Sequence, residues 1–217
     1  TAISATVLFN YRDFSDGVAL QNLAQEIALQ GKRAQTLASQ GRSPINLLSD
    51  AQRNNGILNF LPDNWVSSYG LAFDTENENM RTSFVFYFNS PEYYDVLGST
   101  INSERSLHFE DFVEGNYSFG CEAAVSECVD EIVITDGSYI ELLCLNSEPR
   151  TDENCESSLA VPTNHLHVAF TRPFLESYIL GDDVSTPVSN AFIKISSRDG
   201  SQKRYIEFWS TGQISVN

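Results

Sequence analysis

LQNLAQEIALQGKRAQTLASQGR, residues 20–42, decides the architecture of the N-terminal end. Its apolar or small residues Leu20, Leu23, Ala24, Ile27, Ala28, Gly31, Ala34 and Ala38 recur at steps of one, three and four. That spacing draws one face of a helix. Gln25, Glu26, Lys32, Arg33 and Gln40 occupy much of the rest of the surface. One packing partner covers a single face, so Leu20, Leu23, Ala24, Ile27, Ala28, Gly31 and Ala34 are expected to seat the helix on the head of the protein.

Upstream, AISATVLFNYRDF has a different character. Ala2, Ile3, Ala5, Val7, Leu8 and Phe9 run nearly all round a helix and leave no polar stripe, a pattern that expects burial on every side. No proline occurs before Pro44, so a single helix of some forty residues, about 60 Å long, is expected. Ser15-Asp16-Gly17 interrupts the pattern, either as a kink or as the cap of a second helix. One compact head cannot cover such a length. The front end, with Ala2, Ile3, Val7, Leu8, Phe9, Tyr11 and Phe14, is expected to protrude and pack against other copies. The competing expectation is two shorter helices folded back on the head.

Beyond a polar connection over 42–64 the pattern changes to period-two runs bounded by turn residues. Strands are expected at 69–74, 82–88, 131–136, 138–144, 165–171, 190–196, 203–209 and 212–216. Asp136-Gly137 and Asp199-Gly200 read as hairpin turns. Alternation predicts Ile193, Ile195, Ile206 and Phe208 on the core face of the last hairpin. The fold class expected is α+β, a long N-terminal helix packed on one mainly antiparallel sheet, divided into an assembly helix, 1–41, and a β-rich head, 42–217.

With 29 acidic against 13 basic residues the chain carries a formal charge of −16, which repels phosphate backbones and anionic lipid headgroups. Direct nucleic-acid binding is therefore not expected. Among the acids, Gly181-Asp182-Asp183 is the best local candidate for Ca²⁺, yet it lacks the alternating oxygen spacing of a calcium loop. Cys121, Cys128, Cys144 and Cys155 are the four cysteines, and they allow three pairings. Local bridges Cys121–Cys128 and Cys144–Cys155 are preferred, and disulfides imply an oxidising compartment. Zinc held by Cys155, His165 and His167 is the rival, with no spacing of a structural zinc module behind it.

No Ser-His-Asp order, glycine-rich phosphate loop or metal-binding helix is present. The only other histidine is His108, and the neighbouring carboxylates Glu110 and Asp111 would point to opposite faces of an extended segment. No catalytic residue, cofactor or metal is assigned. Asn116-Tyr117-Ser118 fits a glycosylation sequon, and Arg172-Pro173 reads as a strand end.

The run 20–42, together with SSYGLAFD, SFVFYF, IELLCLN, LHVAFTRP and the closing AFIKISSRDGSQKRYIEFWSTGQISV, resembles the type IV pilin and pseudopilin superfamily, above all its H-type minor pseudopilins. Arg204, Ile206, Phe208, Thr211 and Gly212 match the family's final hairpin and terminal Thr-Gly turn. The family's processing site, its aromatic N-terminus, the nearby Glu and some twenty apolar residues have no counterpart here. TAISATVLFNYRDF is similar only to the tail of that segment. The resemblance implies a structural subunit of an extracellular, cell-surface filament, built from identical or related subunits through the N-terminal helix, whose precursor is anchored in the membrane by an upstream apolar segment. It leaves adhesion, motility, DNA uptake and secretion open. The alternatives are a secreted, disulfide-bonded, adhesin-like binding module with a surface ligand, and a hydrolase with an unfamiliar site.

Overall fold

A computed structural model describes residues 2–43, 47, 68–76, 78, 80–89, 128–146, 160–171, 176–182 and 188–217. Helix α1 runs unbroken from Ala2 to Gln40, so Ser15-Asp16-Gly17 neither ends it nor starts a second helix. Gly41 stops it. With φ at 59°, Gly41 donates its N–H to the Ala38 carbonyl, and Arg42 donates to that of Leu37, the left-handed cap that glycine supplies at little steric cost.

The strands are β1 (Ser68–Asp74), β2 (Ser83–Asn89), β3 (Cys128–Val133), β4 (Tyr139–Asn146), β5 (Ala160–Thr163), β6 (His165–Phe170), β7 (Ser177–Gly181), β8 (Asn190–Ser196), β9 (Lys203–Trp209) and β10 (Ile214–Val216). A short 3₁₀ turn, Met80–Thr82, leads into β2. They form two five-stranded sheets, ordered β3-β2-β1-β6-β7 and β10-β9-β8-β4-β5, in which every pairing is antiparallel.

That arrangement corrects the expected fold class. The long helix packed on one sheet is replaced by a mostly β structure of one helix and two sheets. The physical reason is that alternation tells which face of a strand is apolar but not which strand it pairs with. The Asp136-Gly137 turn shows the consequence. It does not close a hairpin, because β3 and β4 belong to different sheets; it carries the chain from one sheet to the other, with Gly137 at φ 87°. The Asp199-Gly200 turn does join paired strands, β8 and β9, through Ser197 N–H to the Gln202 carbonyl and Gly200 N–H to the Ser197 carbonyl.

One core unites the parts. Leu20, Leu23, Ala24, Ile27, Ala34, Leu37 and Ala38 of α1 share it with Tyr69, Leu71, Phe73, Phe84, Phe86, Phe88, Leu166, Val168 and Phe170 of the first sheet. From the second sheet come Ile140, Leu143, Leu145, Ala191, Ile193, Ile195, Ile206 and Phe208. Gly31 lies where the helix approaches the second sheet: a Cβ there would stand 2.8 Å from both Ile214 and Phe208. That proximity accounts for a residue that costs a helix interior about 1 kcal/mol relative to alanine.

The opposite faces of both sheets also bury side chains. Ala72, Val85, Tyr87 and Cys128 cluster on the first, and Cys144, Phe192 and Tyr205 on the second. Beside that second cluster lies Lys194, whose buried ammonium pairs with Glu141 at 2.8 Å while the Ser196 hydroxyl donates to the same carboxylate. The main chain of the last turn is pinned to the helix, since the Gly212 carbonyl accepts from Lys32 Nζ at 3.4 Å and Gln35 Nε2 at 3.1 Å.

Candidate functional site

The helix presents two unlike faces to its surroundings. Of the residues expected to seat it, Leu20, Leu23, Ala24, Ile27, Gly31 and Ala34 are buried, whereas Ala28 is half-buried. The outward face is not simply polar. Phe14 is 70% exposed, Val18 45% and Leu29 63%. At 3.6 residues per turn these three fall within about 60° of one another, so they form an apolar line along the solvent side. Sequence periodicity named the buried face and Phe14. It missed Val18 and Leu29 as a continuation of Phe14, although their spacing was there to read.

Two clefts flank this line and meet at Asn22. One, of about 480 Å³, is lined by Phe14, Gly17, Val18, Gln21, Asn22, Gln202 and Arg204. Its wall is the β8–β9 turn, and the Arg204 guanidinium there donates to Gln21 Oε1 at 3.2 Å and to the Lys203 carbonyl at 2.9 Å. The other, of about 330 Å³, lies between the helix, at Ala19, Leu23 and Glu26, and the end of β3, from Ile132 to Asp136. Of the front residues Ala2, Ile3, Val7, Leu8, Phe9 and Tyr11, the described structure gives the helical backbone alone.

A second cluster gathers around His165. Its Nδ1 is hydrogen-bonded to an Asp182 carboxylate oxygen, while Nε2 stands 3.7 Å from Asp74 and 3.6 Å from Glu76. Asp182 also accepts from the Thr163 hydroxyl at 3.0 Å and from the backbone N–H groups of Asn164 at 2.7 Å and His165 at 3.2 Å. Burial by itself pushes the Asp182 carboxyl up, but the bonds from His165 and from those two backbone groups outweigh it and hold it below the usual carboxylate value. The cluster therefore clasps the end of β7 to the β5–β6 turn. The Asp182 carboxylate, half of the sequence-level calcium candidate, is committed to protein donors.

His167 does not join this group. It is buried and meets the Tyr87 ring edge-on at 6.2 Å. Among the described residues no three His, Cys, Asp or Glu side chains are arranged to hold a metal ion. Cys128 and Cys144 are each disulfide-bonded. They stand on different sheets; Cys121 and Cys155, and with them the preferred pairing, lie outside the described residues, as do His108, Glu110, Asp111, Asn116, Arg172, Pro173 and Asp183.

A carboxyl held low in the folded state stabilises the protein above its unfolded value and loses that contribution as pH falls through the folded one. Asp182→Asn is therefore expected to lower the melting temperature at pH values above the ordinary carboxylate range. The gap should close as the pH drops below 3.8, the ordinary carboxylate value. A gap that persists unchanged in stronger acid would show that the charge of Asp182 contributes nothing to the clasp.

Among the described residues, no helix is long and apolar enough to cross a membrane. No protein-family model matches the chain, and neither a curated protein nor a solved structure matches it.

Proposed function

We propose that this chain is a structural subunit of an extracellular filament, assembled through its N-terminal helix, with the two-sheet head outermost. The observation that carries this is the apolar line Phe14, Val18 and Leu29 on the helix face turned away from the head. A side chain such as Phe14 gains roughly 1.5–3 kcal/mol on full burial. Among the described residues nothing in the head covers these three, and in the proposed filament a neighbouring copy buries them.

Length points the same way. From Phe14 to Ala2 the helix continues for about 18 Å, and the sequence of that stretch is apolar nearly all round. Contacts between unlike surfaces of identical chains propagate when the rotation does not close, and the product is a helical filament. The resemblance of residues 20–42 and 191–216 to pilin sequences supports the same function. The role is mechanical, so no reacting atom is required. A cell-surface location and a membrane-anchored precursor belong to the proposal with it.

Deleting Thr1–Phe14 is expected to leave a folded, monomeric head with a cooperative melting transition, while filaments disappear from electron micrographs. Among the helix side chains that the structure describes, from Phe14 on, the buried ones begin at Leu20, and the deletion leaves all of these in place. Filaments formed by the truncated chain, or a head that no longer folds, would sink the division of the helix into an assembly half and a packing half.

A further inference from the structure

Building on the filament proposal, we infer that the β3–β4 connection of one copy, through its exposed residues Val133, Thr135, Asp136 and Gly137 on either side of the buried Ile134, docks in the cleft between α1 and the β8–β9 turn of the next. Both halves of this contact lie on every chain, on opposite flanks of the outward helix face.

The receiving cleft combines an apolar floor with a cation. Phe14 and Val18 supply the floor and Arg204 the charge, in a space of about 480 Å³. Arg204 is half-buried, and among the described residues its side-chain partners are the uncharged Gln21 and Lys203 carbonyl. In a chain of net charge −16, this guanidinium lines a cleft with no carboxylate among its lining residues. Arginine binds carboxylate in a planar, two-toothed geometry that no other side chain reproduces.

The entering tip carries the complementary chemistry. Val133 is 58% exposed at the end of β3, an edge strand of its sheet. Thr135, Asp136 and Gly137 are all exposed. Asp136 Oδ1 accepts the Ser138 N–H at 2.8 Å, which holds the carboxylate at the apex of the turn. An apolar side chain and an acid three residues apart thus face outward together, opposite a cleft with an apolar floor and a base. Arg198 packs its stem against Gly137, beside the turn, and makes no ion pair among the described residues.

Cleft and tip are different surfaces placed about one helix, so the contact is head-to-tail and leaves one unused cleft and one unused tip at the ends of any assembly.

The test reverses the charges on the full chain. Arg204→Glu and Asp136→Arg, each alone, are expected to lower the sedimentable, filamentous fraction about tenfold, a change in line with the loss of one interfacial ion pair. Mixed in equal amounts, the two variants should assemble again, because the Glu cleft of one accepts the Arg tip of the other and the remaining Arg cleft accepts the Asp tip. A folding defect cannot produce that rescue by mixing. If either reversal costs thermal stability, Arg204→Gln and Asp136→Asn are compared in the same assay, each expected to weaken assembly, with partial recovery on mixing because the Arg204 cleft of one still meets the Asp136 tip of the other. Filaments unaffected by the single reversals, or reversals not rescued by mixing, would overturn this contact and leave the filament proposal standing. A wild-type chain that stays monomeric at every concentration would overturn both.

Discussion

The double substitution Leu23→Asp with Ile27→Asp is expected to unfold the head. Both residues are buried, Ile27 completely, in the core that α1 shares with the two sheets. A carboxylate at either place has no partner in an apolar surround. It must stay charged at a cost of several kcal/mol or be protonated at neutral pH, which for a carboxyl of ordinary pKa about 3.9 costs about 4 kcal/mol. Two such sites, added to the lost burial of Leu and Ile, exceed the roughly 5–15 kcal/mol by which a domain is stable. Leu29→Asp is the control, since Leu29 lies on the same helix but faces solvent. It should move stability by no more than about 0.5 kcal/mol. Circular dichroism and limited proteolysis read both. A double variant that melts cooperatively at the wild-type temperature would show that the helix contributes nothing to the fold of the head.

Phe208→Ala is expected to destabilise by about 3–5 kcal/mol in denaturant titration. The ring is fully buried and fills the space that Gly31 leaves open, its Cε1 2.8 Å from where a Cβ at 31 would stand. It lies between α1 and the β9–β10 pair, in which Ile214 is its direct register partner. The backbone around it is held by Trp209 N–H to the Gln213 carbonyl and by Gly212 N–H to the Trp209 carbonyl. The cavity cannot collapse without moving helix and hairpin together, which places the cost toward the upper end of that range. A loss under about 1 kcal/mol would mean that the hairpin closes over the gap and that α1 is not rigidly seated there.

How much of this was legible beforehand differs from element to element. The seating face of α1 was legible because a 3.6-residue period is local, and Leu20, Leu23, Ala24, Ile27, Gly31 and Ala34 are all buried. Ala28 sits at the rim of that face and is only half-buried. Ile193, Ile195, Ile206 and Phe208 followed from alternation and all lie in the main core. The strands β5 and β7 were missed. Ala160–Thr163 contains Pro162, which argues against a ladder position except at an edge, and β5 is an edge strand. Ser177–Gly181 is too short and too mixed to signal itself.

Sequence by itself therefore determined the helix, its seating face, most of the strands and the turn at Asp199-Gly200, because each depends on residues within a few positions of one another. Tertiary structure alone decided the division of the strands into two sheets, since pairing is chosen among apolar runs that look alike and is fixed only by what packs on both faces. It alone brought His165 to Asp74, Glu76 and Asp182 from segments ninety and seventeen residues away. It also placed Arg204 beside Phe14 and Val18, because a cleft is made of side chains that only the folded chain sets next to each other.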